Sequence, residues 1–322
     1  MKTMRERESE KIRLGVSSCL LGEEVRYDGG HKKDPFLTDT LGPFVEWIPV
    51  CPEVEIGLAI PRDTIRLVGD AREPRLVVQK TGDDLTDRMR RFALAKTQEL
   101  EALGLDGYVL KRASPSCGLF RVRVHRENGA PRSAGRGLYA RALVERLPML
   151  PVEEEGRLVD GAIRESFIER VFAAARWRSF VERKPRPRDL VAFHVAQKFA
   201  ILAHSPAHCA RLERLVAAAG SLTPETLVQY HTVFMQALAV RATRTRHANV
   251  LQRLADLIKR ELDAPSRAEL ADVIHEYRLG LVPLVVPLTL VKHHVRRVGP
   301  AYLRDQVYLS PHPKELLLRN HL

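Results

Sequence analysis

The sequence contains no apolar run approaching the ~20 residues needed to cross a bilayer. The nearest stretch, Leu279–Val291, is short and interrupted by Pro283 and Pro287. Met1–Lys11 is highly charged and no apolar segment follows it, so neither a secretory leader nor a membrane partner is expected and a cytoplasmic location is. Only 4 cysteines occur in 322 residues. Without a leader they point to metal binding or catalysis rather than to a disulfide frame. No Walker-type glycine loop is present, nor the compact cysteine triplet of radical enzymes, and neither ATP nor NAD is expected as a partner. Internal repeats and low-complexity tracts are also missing.

Charge is plentiful but unevenly placed. The chain carries 52 basic and 40 acidic side chains, a net of +12. From Arg176 onward there are 23 basic and 12 acidic residues, a net of +11, whereas the first 175 residues hold 29 and 28, a net of +1. A nucleic-acid-binding part joined to a nearly neutral catalytic part has this footprint; so does a generally basic surface.

The first half alternates strand and helix. Ile12–Ser17, Val45–Val50, Arg75–Gln79, Tyr108–Lys111 and Leu119–His125 are short apolar runs of strand type. Between them, Thr86–Leu103 has apolar residues at helical spacing, with Gly104 standing where a C-cap belongs. Asp83 and Asp84 precede that helix as N-cap residues. Such alternation predicts an α/β domain over residues 1–155, a mainly parallel sheet with flanking helices.

Three cysteines of this half each follow a predicted strand: Cys19 in SSCLLG, Cys51 in PVCPE and Cys117 in SPSCG. In open parallel sheets ligands gather beyond the carboxyl ends of the strands, so residues far apart in sequence converge there. Three thiolates hold a metal without closing its coordination. A four-iron cluster with one open iron fits this number, as does a Cys₃ zinc site with an open position. Three small buried hydrophobes are the plain alternative.

The motifs SSCLLGEEVRYDGGHK, PVCPE, IGLAIPR, KTGDDLTDRM and LKRASPSCG, in this order, resemble the thiouracil desulfurase family over roughly residues 12–150. The resemblance implies a [4Fe-4S] cluster with Cys19, Cys51 and Cys117 as ligands and one open iron. It also implies assisting roles for Glu53 and Ser114. An open iron suits a soft thiocarbonyl sulfur, and Glu53 would activate the water that replaces it. Glu53 also has a plainer reading as an acid at a helix N-terminus after Pro52, and the catalytic role is the favoured one. Arg26, Tyr27, Asp28 and His31 lie in the loop after Cys19 and are pocket candidates, although Asp28-Gly29 is also a plain turn. Arg62 would hold a phosphate or a pyrimidine oxygen, or else pair with Glu53 or Glu55.

The second half is helical in pattern. Residues 156–186 are read as a connector helix, Ile163–Phe180, followed by the basic joint Lys184-Pro185-Arg186-Pro187-Arg188. Residues 187–322 then form an all-α basic domain with helices at Leu190–Ala203, Ala207–Ala218, Pro224–Ala242, Ala248–Leu262, Ser266–Leu279 and Leu288–Arg297. Ten of the 12 histidines lie here, with no H-E-x-x-H pattern, and are expected to be structural; Cys209 is expected to be a buried hydrophobe.

The motifs FHVAQKFAILAHSP, YHTVFMQAL, TRTRHANVLQRL, YRLGLVPLVVPLTLVKHHVRR and YLRDQVYLSPHPKELLLRN resemble a helical domain of formerly unknown function. Fused behind a desulfurase-like domain, it makes the chain similar to RNA 4-thiouridine desulfidases. That resemblance implies thiolated tRNA as substrate, with a free thiopyrimidine as the alternative. Arg241, Arg244 and Arg246 beside His247, and Lys292, Arg296 and Arg297 beside His293 and His294, are the candidate phosphate contacts. Tyr230, Tyr277 and Tyr302 are available for stacking. A free-base thiouracil desulfurase with a helical dimerisation or protein-binding domain and a non-enzymatic iron–sulfur sensor that binds nucleic acid are the remaining readings.

Overall fold

The computed structural model describes residues 11–126 and 130–320. The chain divides into two compact units, one ending at Asp160 and the other beginning at Gly161. The boundary therefore falls inside the 156–186 segment read as a connector, just before its predicted helix.

Among the described residues the first unit holds two four-stranded sheets. In chain order its strands are β1 (Ile12–Ser17), β2 (Val45–Val50), β3 (Ile65–Gly69), β4 (Pro74–Val78), β5 (Gly107–Leu110), β6 (Val122–His125), β7 (Arg132–Gly135) and β8 (Val152–Glu154). The helices are α1 (Pro52–Glu55), α2 (Thr86–Leu103) and α3 (Leu138–Arg146). One sheet has the order β2-β1-β5-β8 and is parallel throughout. Its central strands are buried along their length, as expected where both faces are covered. β2 contains Pro49 and lies at the edge, where a missing N–H breaks no ladder. Gly15 of β1 stands opposite Tyr108 of β5, and a Cβ there would meet the Tyr108 ring at 2.2 Å. Only glycine admits that ring, whose hydroxyl lies 3.1 Å from that of Tyr139 on α3.

The other sheet, β4-β3-β6-β7, is mixed: β3 pairs antiparallel with β4 and parallel with β6. Against it and the parallel sheet packs a core containing Leu67, Leu76, Met89, Leu110 and Leu143. Helix α2 spans the predicted residues and ends on Gly104 in the left-handed region at φ 66°. Asp84 assists its start by accepting from Thr86 N–H at 2.8 Å, but the capping position itself is Leu85. Val152–Glu154 forms the edge strand β8, paired with β5.

The second unit is helical: α4 (Gly161–Glu182), α5 (Pro187–His204), α6 (Pro206–Ala218), α7 (Pro224–Ala239), α8 (Arg244–Ile258), α9 (Ala264–Leu279), α10 (Val285–Val298) and the short α11 (Ala301–Arg304). The predicted connector helix is thus α4, and the Lys184–Arg188 joint falls between α4 and α5 inside this unit. Side chains cap the starts in turn: Ser205, Thr223, Thr243 and Asp263 accept from the N–H groups of His208, Thr226, Arg246 and Ser266. Leu251, Leu254, Ile258, Val291 and Val295 fill the core. Among the described residues no helix is long and apolar enough to cross a membrane.

A buried ion group ties α4, α5 and the chain's end together. His204 Nε2 lies 3.3 Å from Glu169 Oε2, and Arg319 Nη2 lies 3.8 Å from Glu169 Oε1. His204 Nδ1 faces the Val240 carbonyl at 2.7 Å, which only accepts, so the nitrogen facing the carboxylate carries the second proton. Burial opposes charge on both groups, but the Glu169 carboxylate prevails and raises the His204 pKa above 6.5. Burial likewise opposes the Glu169 carboxylate, but His204 and then Arg319 hold its pKa well below 4.5. His204 therefore contributes stability that is complete below pH 6.5 and is lost as pH rises through its raised folded pKa. Glu169 contributes above pH 4.5 and is lost as pH falls through its depressed one. The denaturation midpoint of the second unit should consequently be lower at about pH 8.5 than at about pH 5.5, and Glu169→Gln should flatten this difference. A parent midpoint that is the same at both values would refute the coupling.

Candidate active site

Strands β2, β1 and β5 are neighbours and parallel, so their carboxyl ends share one edge. Cys19, Cys51 and Cys117 leave that edge and line a single cavity of about 330 Å³. Burial pushes all three thiols up, Cys19 to about 11; Cys51 adds to the rise at Cys19 and Cys117, and Glu53 adds to it at Cys51 and Cys117. In Cys117 a hydrogen bond with Ser17 works in the opposite direction.

Each cysteine is fixed by its backbone. The Cys19 carbonyl accepts from Lys32 N–H at 2.8 Å, closing the long loop after β1. Cys51 precedes α1, and its N–H donates to Glu55 Oε1 at 3.2 Å. Cys117 sits in a turn that the Ser114 hydroxyl caps, accepting from the N–H groups of Ser116 (3.2 Å) and Cys117 (3.0 Å). The carbonyls of Pro115 and Ser116 accept from the first N–H groups of α3, Leu138 at 3.2 Å and Tyr139 at 3.1 Å. Gly137 is required for this docking, since a Cβ there would lie 2.3 Å from the Ser116 carbonyl oxygen. Gly118 is equally tight, 2.7 Å from the Ser114 carbonyl oxygen by the same measure.

Glu53 lines the cavity and is braced at both oxygens. Arg62 donates to Oε2 from Nη2 at 2.7 Å and from Nε at 3.2 Å, and Ser116 Oγ donates to Oε1 at 3.1 Å. The same Arg62 Nη2 donates to the Val25 carbonyl at 2.9 Å, tying the carboxylate to the loop after Cys19. Of the alternatives for Arg62, pairing with Glu53 is the contact formed. Arg26 and Tyr27 also line the cavity, with Tyr27 exposed at its mouth. His31 does not: it is exposed, and its Nδ1 accepts from Lys33 N–H, while its neighbour Lys32 faces the cavity.

Three residues of the site went unread in the sequence. Ser116 is the hydroxyl that touches Glu53, whereas Ser114 shapes the turn. Ser17 joins β1 to β5 by accepting from Lys111 N–H at 3.0 Å. Lys111 lines the cavity and pairs with Glu155. The serines of S-S-C and S-P-S-C were the available signal, but nothing local distinguishes the serine that meets Glu53.

In the second unit the predicted phosphate contacts separate. Arg241 and Arg244 line a cavity of about 200 Å³ with Glu165, Glu169, His204 and Arg319. Arg246 is engaged by the fold, its Nη1 donating to the His204 carbonyl at 2.7 Å. Lys292 bonds the Ser310 hydroxyl, and Arg296 and Arg297 are exposed on α10. Tyr230 and Tyr277 are buried, leaving only Tyr302 exposed among the three tyrosines considered for stacking.

The first unit is thus an α/β protein with a thiol-lined ligand site at the carboxyl edge of a parallel sheet. Residues 14–155 match the family model described as 2-thiouracil desulfurase, and residues 198–313 match that of a protein of unknown function (DUF1722). The chain is 30% identical over 108 residues to the "Uncharacterized protein YbbK" of Bacillus subtilis (strain 168), covering 32% of this chain and 71% of that one. It is 28% identical over 160 residues to the "Uncharacterized protein YbgA" of Escherichia coli (strain K12), covering 48% and 94%. Among solved structures it is similar to a [4Fe-4S]-dependent thiouracil desulfidase, TudS, at 34% identity, covering 47% of this chain and 95% of that one with a TM-score of 0.40. The chain belongs to the 2-thiouracil desulfurase family, through its first unit.

The Glu53–Arg62 pair is largely shielded, with side-chain exposures of 15% and 7%. Removing one partner of such a pair strands the other, at a cost of about 3–5 kcal/mol. Arg62→Met should therefore lower the denaturation midpoint strongly, and the double change Glu53→Gln with Arg62→Met should recover part of the loss. A double variant less stable than the single one would show that Arg62 acts through other contacts.

Proposed function

We propose that this protein removes sulfur from a thiopyrimidine at a [4Fe-4S] cluster held by Cys19, Cys51 and Cys117, and that the base is 4-thiouridine in tRNA. The convergence of three thiols on one cavity from three adjacent strand ends carries the first part. The donor set fits the group: all three ligands are sulfur, the choice for iron–sulfur clusters, and backbone hydrogen bonds fix the loops that bear them. When bound, a cluster held by three thiolates supplies an open iron, a Lewis acid suited to a soft thiocarbonyl sulfur.

The chain's own residues would supply the rest. Glu53 takes a proton from the water whose oxygen adds to the ring carbon; the C–S bond then breaks and the sulfur leaves as hydrogen sulfide with the two protons of that water, a hydrolytic exchange that consumes no electrons. Arg62 and Ser116 keep the carboxylate at a fixed angle, and Ser114 keeps Cys117 in place. Lys111 and Arg26 bring positive charge toward the Cys19 thiol, and Arg62 toward that of Cys51, where burial favours the protonated form. Tyr27, at the mouth, is placed to stack on a base.

The tRNA assignment rests on charge. The excess of +11 beyond residue 175 is matched by exposed Arg241, Arg244, Arg296 and Arg297 in the second unit. The family's own description, 2-thiouracil desulfurase, supports the competing reading of a free base.

Replacing Cys19, Cys51 or Cys117 by Ala should each abolish iron and labile sulfide binding together with turnover. Anaerobic iron and sulfide analysis checks this, and full iron content in Cys51→Ala would remove it from the ligand set.

Salt separates the two substrates. If several phosphates are neutralised, affinity for thiolated tRNA should fall with salt at a log–log slope of roughly 0.7–0.9 per contact. Neutralising Arg241, Arg244, Arg296 and Arg297 should flatten that slope and leave turnover of a small thiopyrimidine unchanged. Equal preference for free base and thiolated tRNA, without salt dependence, would select the free-base enzyme.

A further inference from the structure

The second unit contains a ligand set outside the active site. His194 of α5 and Cys209 and Glu213 of α6 bring one nitrogen, one sulfur and one carboxylate oxygen within 4.8 Å of one another. Cys209 and Glu213 are four residues apart and therefore share a helix face, which α5 packs against. His194 is 5% exposed and Cys209 is 1% exposed.

The histidine is poised as ligands are. Its Nδ1 is engaged by the Tyr230 hydroxyl of α7 at 3.1 Å. Its Nε2 is buried with no hydrogen-bond partner. An unsatisfied nitrogen in such a place is unfavourable, and native structures rarely leave one without a reason. A metal-binding histidine almost always has its second ring nitrogen held by an outer partner, the arrangement that Tyr230 provides.

We propose that His194 Nε2, Cys209 Sγ and the Glu213 carboxylate form a site for a thiophilic divalent cation of zinc type. Nitrogen, sulfur and oxygen together suit zinc, whereas calcium and magnesium take oxygen alone. Zinc–ligand lengths of about 2.0–2.3 Å place tetrahedral ligand atoms about 3.3–3.8 Å apart, so a small contraction closes the site. Three protein ligands leave a fourth position for water. Entry is open on the Glu213 side, where the side chain is 43% exposed and Lys198 pairs with its Oε1 at 2.8 Å. Binding forms one bond to each ligand and releases the Cys209 thiol proton to solvent, with no change of oxidation state. The ion would pin α5 to α6.

The test uses the full chain with Cys19, Cys51 and Cys117 replaced by Ser, which removes the competing thiols. Cobalt(II) should bind at one equivalent, with the visible bands of a tetrahedral ion and a near-ultraviolet thiolate band, and zinc should displace it. Cys209→Ser should abolish the thiolate band. Tyr230→Phe should weaken binding on the order of 10–100-fold through loss of the outer hydrogen bond. Glu213→Gln, at an exposed position that leaves the core untouched, should weaken it as well. Absence of stoichiometric binding, or binding unchanged in Cys209→Ser and Glu213→Gln, overturns the proposal. Should the triple variant fail to fold, zinc is counted by elemental analysis in the parent chain as purified with its own cofactor content, against Cys209→Ser and Glu213→Gln. One zinc lost in both variants supports the site, and equal zinc in all three proteins overturns it.

Discussion

Parallel pairing of β2, β1 and β5 is the constraint from which the active-site architecture follows. Parallel strands cannot be joined by hairpins, so each must be followed by a long crossover that begins at the same edge of the sheet. That rule brings the loops after Ser17, Val50 and Leu110 together even though they are separated by dozens of residues. The pairing depends in turn on Gly15, because the Tyr108 ring occupies the space where any side chain would stand. The ring's hydroxyl reaches Tyr139 on α3, the helix whose first turn holds the loop of Cys117. Sheet registry, core packing and thiol placement are therefore one connected set of contacts.

Much of this was legible in the sequence because it is local. β1 and β2 were read with their observed bounds, and α2 is declared by its apolar spacing and its terminal glycine. Strands β3, β7 and β8 escaped: they are short, polar on one side or at an edge, and become strands only by pairing with a partner distant in sequence. The boundary between the units was harder for a similar reason. A basic, proline-rich stretch resembles a linker, yet α4 packs against α7 and the Glu165 and Glu169 carboxylates on it meet Arg319 at the far end of the chain.

The site shows the same division. Cysteines at strand ends are visible as a pattern, but which serine reaches Glu53 is decided by the fold of a four-residue turn. Arg246 and Lys292 illustrate the limit for charge: both look like phosphate contacts in sequence, and both use their donors on neighbouring oxygens of the same unit. Composition reveals where positive charge is concentrated. It does not reveal which cations remain at liberty.

The turn that carries Cys117 is held entirely by protein: a serine cap on one side, two helix N–H groups on the other, and glycines where nothing larger fits. Each of these contacts is made between protein groups. For the proposed cluster this means that loss to oxygen need not collapse the loop, and that rebuilding would start from a mould already cast rather than from a chain that must be folded around its cargo. If the proposed cluster is bound there, the most perishable component of the site is one that these contacts do not include.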